Sequence, residues 1–188
     1  MNFDFSRNTR LYAGLYEKEL NRHLRRLLKP GTTAFDVGAQ LGYYSLVIAG
    51  LTRSAVAAFE CDPACVGVME RNLALNPALA DVVELVPRAV GDGPDQIGVD
   101  DYAYSELGFA PGFIKVDVDG GELAVLRSAS RVLSERHPAL IVETHSRDME
   151  NDCGRLLVGH GYRPLIVNQR RLFADKRDLD FNRWLVAS

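Results

Sequence analysis

Three stretches of this chain hold residues whose types and spacing suit chemistry. In Lys115-Val116-Asp117-Val118-Asp119, three ionisable groups occupy alternate positions, which share one face in a strand. A buried parallel strand tolerates such a row only near its end, so the row is expected where the chain leaves the sheet and a ligand can reach it. Asp117 is the residue expected nearest the reacting groups, and Lys115 is expected to pair with a carboxylate and fix it. Asp119, followed three residues later by Glu122, is close to a capping box at a helix start. A second stretch, Glu143-Thr144-His145, closes another apolar run. His145 could serve as a general base, since its ordinary pKa lies near neutrality, or be a plain loop histidine. The carboxylates of the two stretches could instead hold Mg²⁺. No metal is assigned from the sequence.

The third stretch is a glycine turn. Phe35-Asp36-Val37-Gly38-Ala39-Gln40-Leu41-Gly42-Tyr43 reads as a strand end, a turn and a helix start. Gly38 lets the backbone turn tightly and approach a ligand, and the helix that follows offers unpaired N–H groups. The pattern D-x-G-x-x-x-G departs from the dinucleotide fingerprint G-x-G-x-x-G, and no Gly-Lys-Ser/Thr follows as in a P-loop. Asp36 would repel a pyrophosphate and suit an ammonium group. Glu60 ends the next strand, about twenty residues beyond Gly38, where a carboxylate can accept both ribose hydroxyls. A glycine turn, a first-strand acid and a second-strand acid together suggest S-adenosylmethionine. That ligand has a ribose, an adenine, an amino-acid end and no phosphate. Singly, the same residues also fit an ordinary βα turn and a strand-end charge.

The elements that must position these groups alternate. Apolar runs predict strands at 33–37, 55–59, 82–86, 113–118 and 139–143. Helices are expected at 11–28, 43–51, 62–75, 122–133 and 148–158, with Asp62 as an N-cap and Pro63 at the first helical position. Residues 91–98 are rich in Gly, Asp and Pro and read as loop. Near the end, β-like runs at 162–167, 171–174 and 181–186 follow one another without a helix, which predicts an antiparallel hairpin. The fold class is therefore α/β: a Rossmann-like, mostly parallel sheet with helices on both faces and an antiparallel end.

Composition narrows the function. The 188 residues are 47% hydrophobic and carry a net charge of −3, which argues against disorder and against nucleic-acid binding driven by bulk charge. No apolar run approaches the roughly 20 residues a bilayer needs, and the first ten residues lack the apolar core of a secretory signal. Three cysteines make no disulfide framework, so a reducing, cytoplasmic setting is expected. Cys61 and Cys65 lack a second ligand pair for zinc and read as small apolar fillers. His23, His137 and His160 read as solvated, as do Arg22, Arg25 and Arg26. Tyr12, Tyr16 and Glu17 would either form a lid or pack the first helix on the sheet.

Three blocks carry a family resemblance: FDVGAQLGYYSLVIA (35–49), FECDPACVGVMERNLALN (59–76) and FIKVDVDGGELAVLRSA (113–129), with IVETH at 141–145. The chain resembles FkbM-type methyltransferases, a branch of the class I S-adenosylmethionine-dependent enzymes. The third block is similar to the family's I-K-x-D-V-E-G-x-E pattern. The resemblance implies a seven-stranded sheet whose last strand is antiparallel and inserted beside the sixth. It also implies methyl transfer to a hydroxyl of a sugar or small natural product. Carried over, Asp36, Gly38, Ala39, Gln40 and Tyr43 would surround the methionine part, Glu60 with Cys61 and Asp62 the ribose, and Arg88, Ala89 and Val90 the adenine. Lys115, Asp117 and Asp119 would face donor and acceptor; Glu143 and His145 are expected next to them because the fifth strand lies beside the fourth in this architecture. Asp119 stands where the family more often has Glu, Gly120-Gly121 replaces Gly-Ala, and residues 91–112 are short for the family.

The expected organisation is one domain over 1–188, with an N-terminal helical lid (1–30) and a core (31–188). The expected partners are S-adenosylmethionine and a small hydroxyl acceptor, with no nucleic acid and no membrane; a homodimer is compatible. Competing readings are a catalytically silent S-adenosylmethionine-binding scaffold, an N-methyltransferase, and a nicotinamide-dependent oxidoreductase. The last is opposed by the missing third glycine and by Asp36.

Overall fold

A computed structural model describes residues 17–169 and 183–188 of the chain. Seven strands form one sheet in the order β3-β2-β1-β4-β5-β7-β6. The strands are β1 (Ala34–Val37), β2 (Val56–Phe59), β3 (Val83–Val86), β4 (Phe113–Val116), β5 (Ala139–Thr144), β6 (Leu165–Asn168) and β7 (Arg183–Ala187). The first five pair in parallel; β7 runs antiparallel between β5 and β6. The expected sheet class and the inserted antiparallel strand are both found. β1 lies between β2 and β4, so the chain leaves it toward opposite sides of the sheet. This is the switch point at which open α/β sheets bind ligands.

The six longer helices are α1 (Asn21–Leu27), α2 (Tyr43–Thr52), α3 (Pro63–Ala74), α4 (Glu122–Ser128), α5 (Ser130–Glu135) and α6 (Arg147–Gly159). Strand alternation sorts the core into two layers. Phe35, Val37, Ile114, Val116 and Val142 pack toward α4, α5 and α6. Ala34, Val56, Phe113, Ile141 and Trp184 pack toward α1 and α2, through Leu20, Leu24, Leu28, Tyr44 and Ile48. Asp36 and Lys115 are register partners on β1 and β4. They therefore share the layer under α1 and α2, and that placement shapes the site.

Several local expectations are corrected. The first helix covers only 21–27, after a 3₁₀ turn at Lys18–Leu20. Residues 11–16, with Tyr12 and Tyr16, lie outside the described residues, as do 171–174 and 181–182. The helix expected at 122–133 breaks at Ala129, where α5 restarts. Asp100 receives the N–H groups of Arg131 and Val132, both at 2.8 Å, and holds that new helix start. Residues 91–98 are turn and bend, as expected, but the chain then enters the core, which the sequence does not predict. Val90 and Ile97 form a β-bridge, Val99–Asp101 is a helical turn, and Tyr102–Glu106 is π-helical. Tyr102 meets Phe35 and Phe59 edge to face, with centroids 5.6 and 4.8 Å away. The periodicity is too short to show this, because the helical segment buries only Val99, Tyr102 and Ala103. His23 is buried rather than solvated, whereas Arg22, Arg25 and Arg26 are exposed. Cys61 is exposed and is no core filler; Cys153 is the buried cysteine.

Candidate active site

The turn after β1 is built on Gly38. Its φ is +80°, and a Cβ there would sit 1.8 Å from the carbonyl oxygen of Asp117. Only glycine lets the ends of β1 and β4 come this close. Gly42, at φ +78°, begins α2 against Met69. Asp62 caps α3 by accepting the Ala64 N–H at 3.0 Å, with Pro63 in the first turn, as the sequence reading expects.

Between the two turns lies Glu60. Its Oε2 accepts the Gln40 N–H and its Oε1 the Asp62 N–H, both at 2.8 Å. Each oxygen keeps a further lone pair for a ligand hydroxyl. Glu60 lines a cleft of about 350 Å³ at the carboxyl ends of the strands. Gly38 and Gln40 line it from the first turn, Cys61 and Asp62 from the second, and Arg88, Ala89 and Val90 from the third. Asp117, Val118 and Asp119 enter from the end of β4. Gln40 and Asp119 both hold φ of 47°, a costly conformation for residues with a Cβ and one that gathers at functional sites. Cys65 also borders the cleft, and burial pushes its thiol up to about 11, so it is not a nucleophile near neutrality.

Three residues named for the donor do not line this cleft. Ala39 is buried against Ala58 and Met69, and Tyr43 packs edge to face on Tyr44 at 5.1 Å. Asp36 is fully buried, and its Oδ2 accepts the Ser45 hydroxyl at 2.6 Å. Burial raises its pKa, against the opposing pull of Lys115 and the Ser45 hydrogen bond.

The ends of β4 and β5 form a second, more buried group. Lys115 lies inside β4 rather than beyond its end, 2% exposed, with Nζ 3.1 Å from Asp117 Oδ2 and 4.7 Å from the Tyr44 ring centroid. Burial alone would lower its pKa, but the charges of Asp117, Asp36, Glu17 and Glu143 together raise it. That surrounding is why a strand interior tolerates an ammonium group. Glu17 Oε2 accepts the Tyr44 hydroxyl at 2.6 Å, tying the N-terminal segment to α2. Glu143 is buried, and its Oε2 accepts the Trp184 indole N–H at 3.2 Å.

His145 is half-enclosed, with Nδ1 2.5 Å from Glu122 Oε1. That hydrogen bond raises its pKa; burial opposes, and the charges of Glu122, Glu143 and Asp117 reinforce. The capping box expected from Asp119 is not formed. Gly121 is the N-cap, and Asp119 stands in a left-handed turn ahead of it. Glu122 reaches back to the Gly120 N–H at 3.1 Å while holding His145. The spacing from Asp119 favours a capping role for Glu122, whereas the structure gives it a second role as the partner of His145. Its one legible signal was the expected adjacency of the two strand ends.

Comparison with known proteins bears on the fold and on one segment of the chain. Residues 108–176 match the model of the Methyltransferase FkbM domain. Methyltransferase FkbM from Methylobacillus flagellatus KT superposes with a TM-score of 0.70 at 19% identity, over 95% of this chain and 55% of that one. Aeropyrum pernix fibrillarin, solved with natively bound S-adenosyl-L-methionine, superposes with a TM-score of 0.62 at 11% identity, over 86% of this chain and 68% of that one. Ribosomal protein L11 methyltransferase from Bacillus cereus (strain Q1) is 36% identical over 72 residues, 38% of this chain. The chain spans 23% of the length of that curated relative. The superpositions show that the chain shares the Rossmann-like fold of these methyltransferase structures, and one segment of it resembles the Methyltransferase FkbM domain. That 108–176 match covers both the Lys115–Asp119 row and Glu143–His145.

Proposed function

We propose that the protein transfers a methyl group from S-adenosylmethionine to a hydroxyl of a sugar or small natural product. The observation that carries this reading is Glu60, whose carboxylate is clamped by two backbone N–H groups at the mouth of the cleft. Its remaining lone pairs suit ribose hydroxyls, and the turn at Gly38 leaves room for the methionine end. Arg88, Ala89 and Val90 border the adenine, and Cys61 and Asp62 flank the ribose. A cleft of about 350 Å³ suits a single nucleoside-sized ligand. The fibrillarin that shares the fold carries the same donor.

Asp117 bridges the two regions, since it lines the cleft and pairs with Lys115. In the proposed step the acceptor oxygen attacks the methyl carbon, the C–S bond breaks as the C–O bond forms, and S-adenosylhomocysteine leaves. Asp117 accepts the hydroxyl proton, and Lys115 holds that carboxylate in place. The chain acts as one domain, in the cytoplasm, on a small acceptor rather than a nucleic acid. The described residues include no helix long and apolar enough to cross a membrane.

Two measurements test the reading. Calorimetry should show saturable S-adenosylmethionine binding, and Glu60→Gln should weaken it about tenfold or more, as expected for a charged hydrogen-bond acceptor. Asp117→Asn should then cut turnover with donor binding intact. Absence of donor binding would sink the proposal; binding without any transfer would favour a silent scaffold.

A further inference from the structure

We propose that Glu122 is a positioning residue for the donor cleft: through the imidazole of His145 it holds the turn between β4 and α4 against the ligand. That turn, residues 118–121, supplies one wall of the cleft through Val118, Asp119 and Gly121. It also lies against the glycine turn after β1, since a Cβ on Gly38 would come 3.2 Å from Val118 Cγ1. The role rests on the reading of the cleft as a donor site.

The turn is poorly fastened by its own residues. Asp119 stands at φ +47° and Gly120 at +105°, two left-handed residues in succession. A residue with a Cβ keeps such a conformation only where its surroundings over-determine it. The N-cap of α4 is Gly121, which has no side chain to fasten the helix start. The fastening comes instead from Glu122, fully buried in the first turn of α4. One oxygen, Oε1, accepts the Gly120 N–H at 3.1 Å and bonds His145 Nδ1 at 2.5 Å. Across the ring, His145 Nε2 lies 3.1 Å from Asp119 Oδ1. The imidazole, which follows directly on the end of β5, therefore stands between a carboxylate of the turn and a carboxylate of the helix after it. Through it, the turn is tied to the neighbouring strand.

The hold on Asp119 is one of charge, because Nε2 is buried and forms no directed hydrogen bond among the described residues. An imidazolium attracts both carboxylates, whereas a neutral ring keeps its bond to Glu122 and loses its pull on Asp119. From β5 and the end of β4, Glu143 and Asp117 also face Nε2, at 3.9 and 3.8 Å, but they have partners of their own, Trp184 and Lys115 among them. From α6, Cys153 faces Glu122 as a neutral thiol, pushed up to about 12 by burial. The Glu122 hydrogen bond raises the His145 pKa; burial opposes, and the charges of Glu122, Glu143 and Asp117 reinforce. The imidazolium is thus complete below the ordinary histidine value and is lost as the pH rises through the raised one. The support it lends to donor binding is lost in the same direction.

The test measures S-adenosylmethionine binding to the full chain by calorimetry from about pH 6 to about pH 9, across which a raised imidazole titrates. At the acid end, Glu122→Gln and His145→Gln should each weaken binding about tenfold, the size of one charged hydrogen bond. Asp119→Asn should weaken it about two- to fivefold, because Asp119 is 81% exposed and its ion pair is screened by solvent. The affinities of the parent protein and His145→Gln should converge as the pH rises. A histidine that only packs the fold would leave a gap independent of pH. Urea unfolding identifies a variant that does not fold; if Glu122→Gln is one, the other two decide. Folded His145→Gln and Asp119→Asn with the parent's affinity, or a gap that stays constant with pH, overturns the positioning role. A second readout is independent of the donor. By proton NMR, the His145 ring should titrate at lower pH in Glu122→Gln and in Asp119→Asn than in the parent protein, and an unshifted titration in both overturns the tie between turn and strand. If the parent binds no donor at any pH while those shifts are seen, the tie stands and the methyltransferase reading fails instead.

Discussion

The two halves of the cleft are built on opposite principles. The side formed by β1, β2 and β3 is made of backbone: a glycine turn, a capped helix start, and one carboxylate held by two N–H groups. The side formed by β4 and β5 is made of buried charge: a lysine inside a strand, with acids gathered from four separate segments. Backbone geometry tolerates almost no added atom but is insensitive to charge. A buried ionic group tolerates changes of shape better than the loss of one member, because the remaining charges are left uncompensated.

The sharpest way to break this contrast is Gly38→Ala. The added Cβ would lie 1.8 Å from the Asp117 carbonyl oxygen at a φ of +80°, so the ends of β1 and β4 must separate. The expected loss is about 4 kcal/mol or more, with donor binding abolished, read by urea unfolding and calorimetry. An unchanged midpoint would mean that the turn is not the rigid half.

On the charged side, Lys115→Met keeps the volume but removes the ammonium group. It should cost about 3–5 kcal/mol, since Asp117 loses its buried ion pair with Lys115. Lowering the pH should restore part of the loss: protonating the stranded carboxylates removes the repulsion, most readily at Asp36, whose pKa burial already raises. Stability that is flat across the acid range in this variant would contradict that account. Smaller in free energy but larger in rate is Asp117→Asn. Turnover should fall about 10²- to 10⁴-fold while donor affinity stays within a few fold, which separates the two halves kinetically. The least effect is expected at Arg88→Ala. Its ion pair with Glu106 is exposed on both sides, so stability should move by less than about 0.5 kcal/mol. A larger shift, measured without donor, would show that the third turn is also an electrostatic element.

How much was legible in the sequence divides along the same line. Strand β1, the turn at Gly38, the cap at Asp62 and the acid at Glu60 are local features, set by adjacent residues, and each is found where expected. The helical segment after β3 was missed because its burial depends on Phe35 and Phe59, far away in the chain. Asp36 was read as a ligand contact from its strand-end position. Its register partner Lys115 instead draws it into the layer beneath α1 and α2. Glu122 was read as a cap from its spacing to Asp119. The left-handed turn at Asp119 displaced the cap by two residues and freed Glu122 to hold His145.

The sequence alone determined the α/β alternation, the antiparallel end and the glycine turn at Gly38. Hydrophobic periodicity and the dihedral needs of glycine and proline act over a few residues. The tertiary structure decided which charges meet. Lys115, Asp117, Glu143, His145 and Glu122 come from three chain segments, and only strand order and register bring them within hydrogen-bonding or ion-pairing reach. Electrostatic partnership in a buried site depends on distance and on exclusion of water, and neither is written in the spacing of residues along a chain.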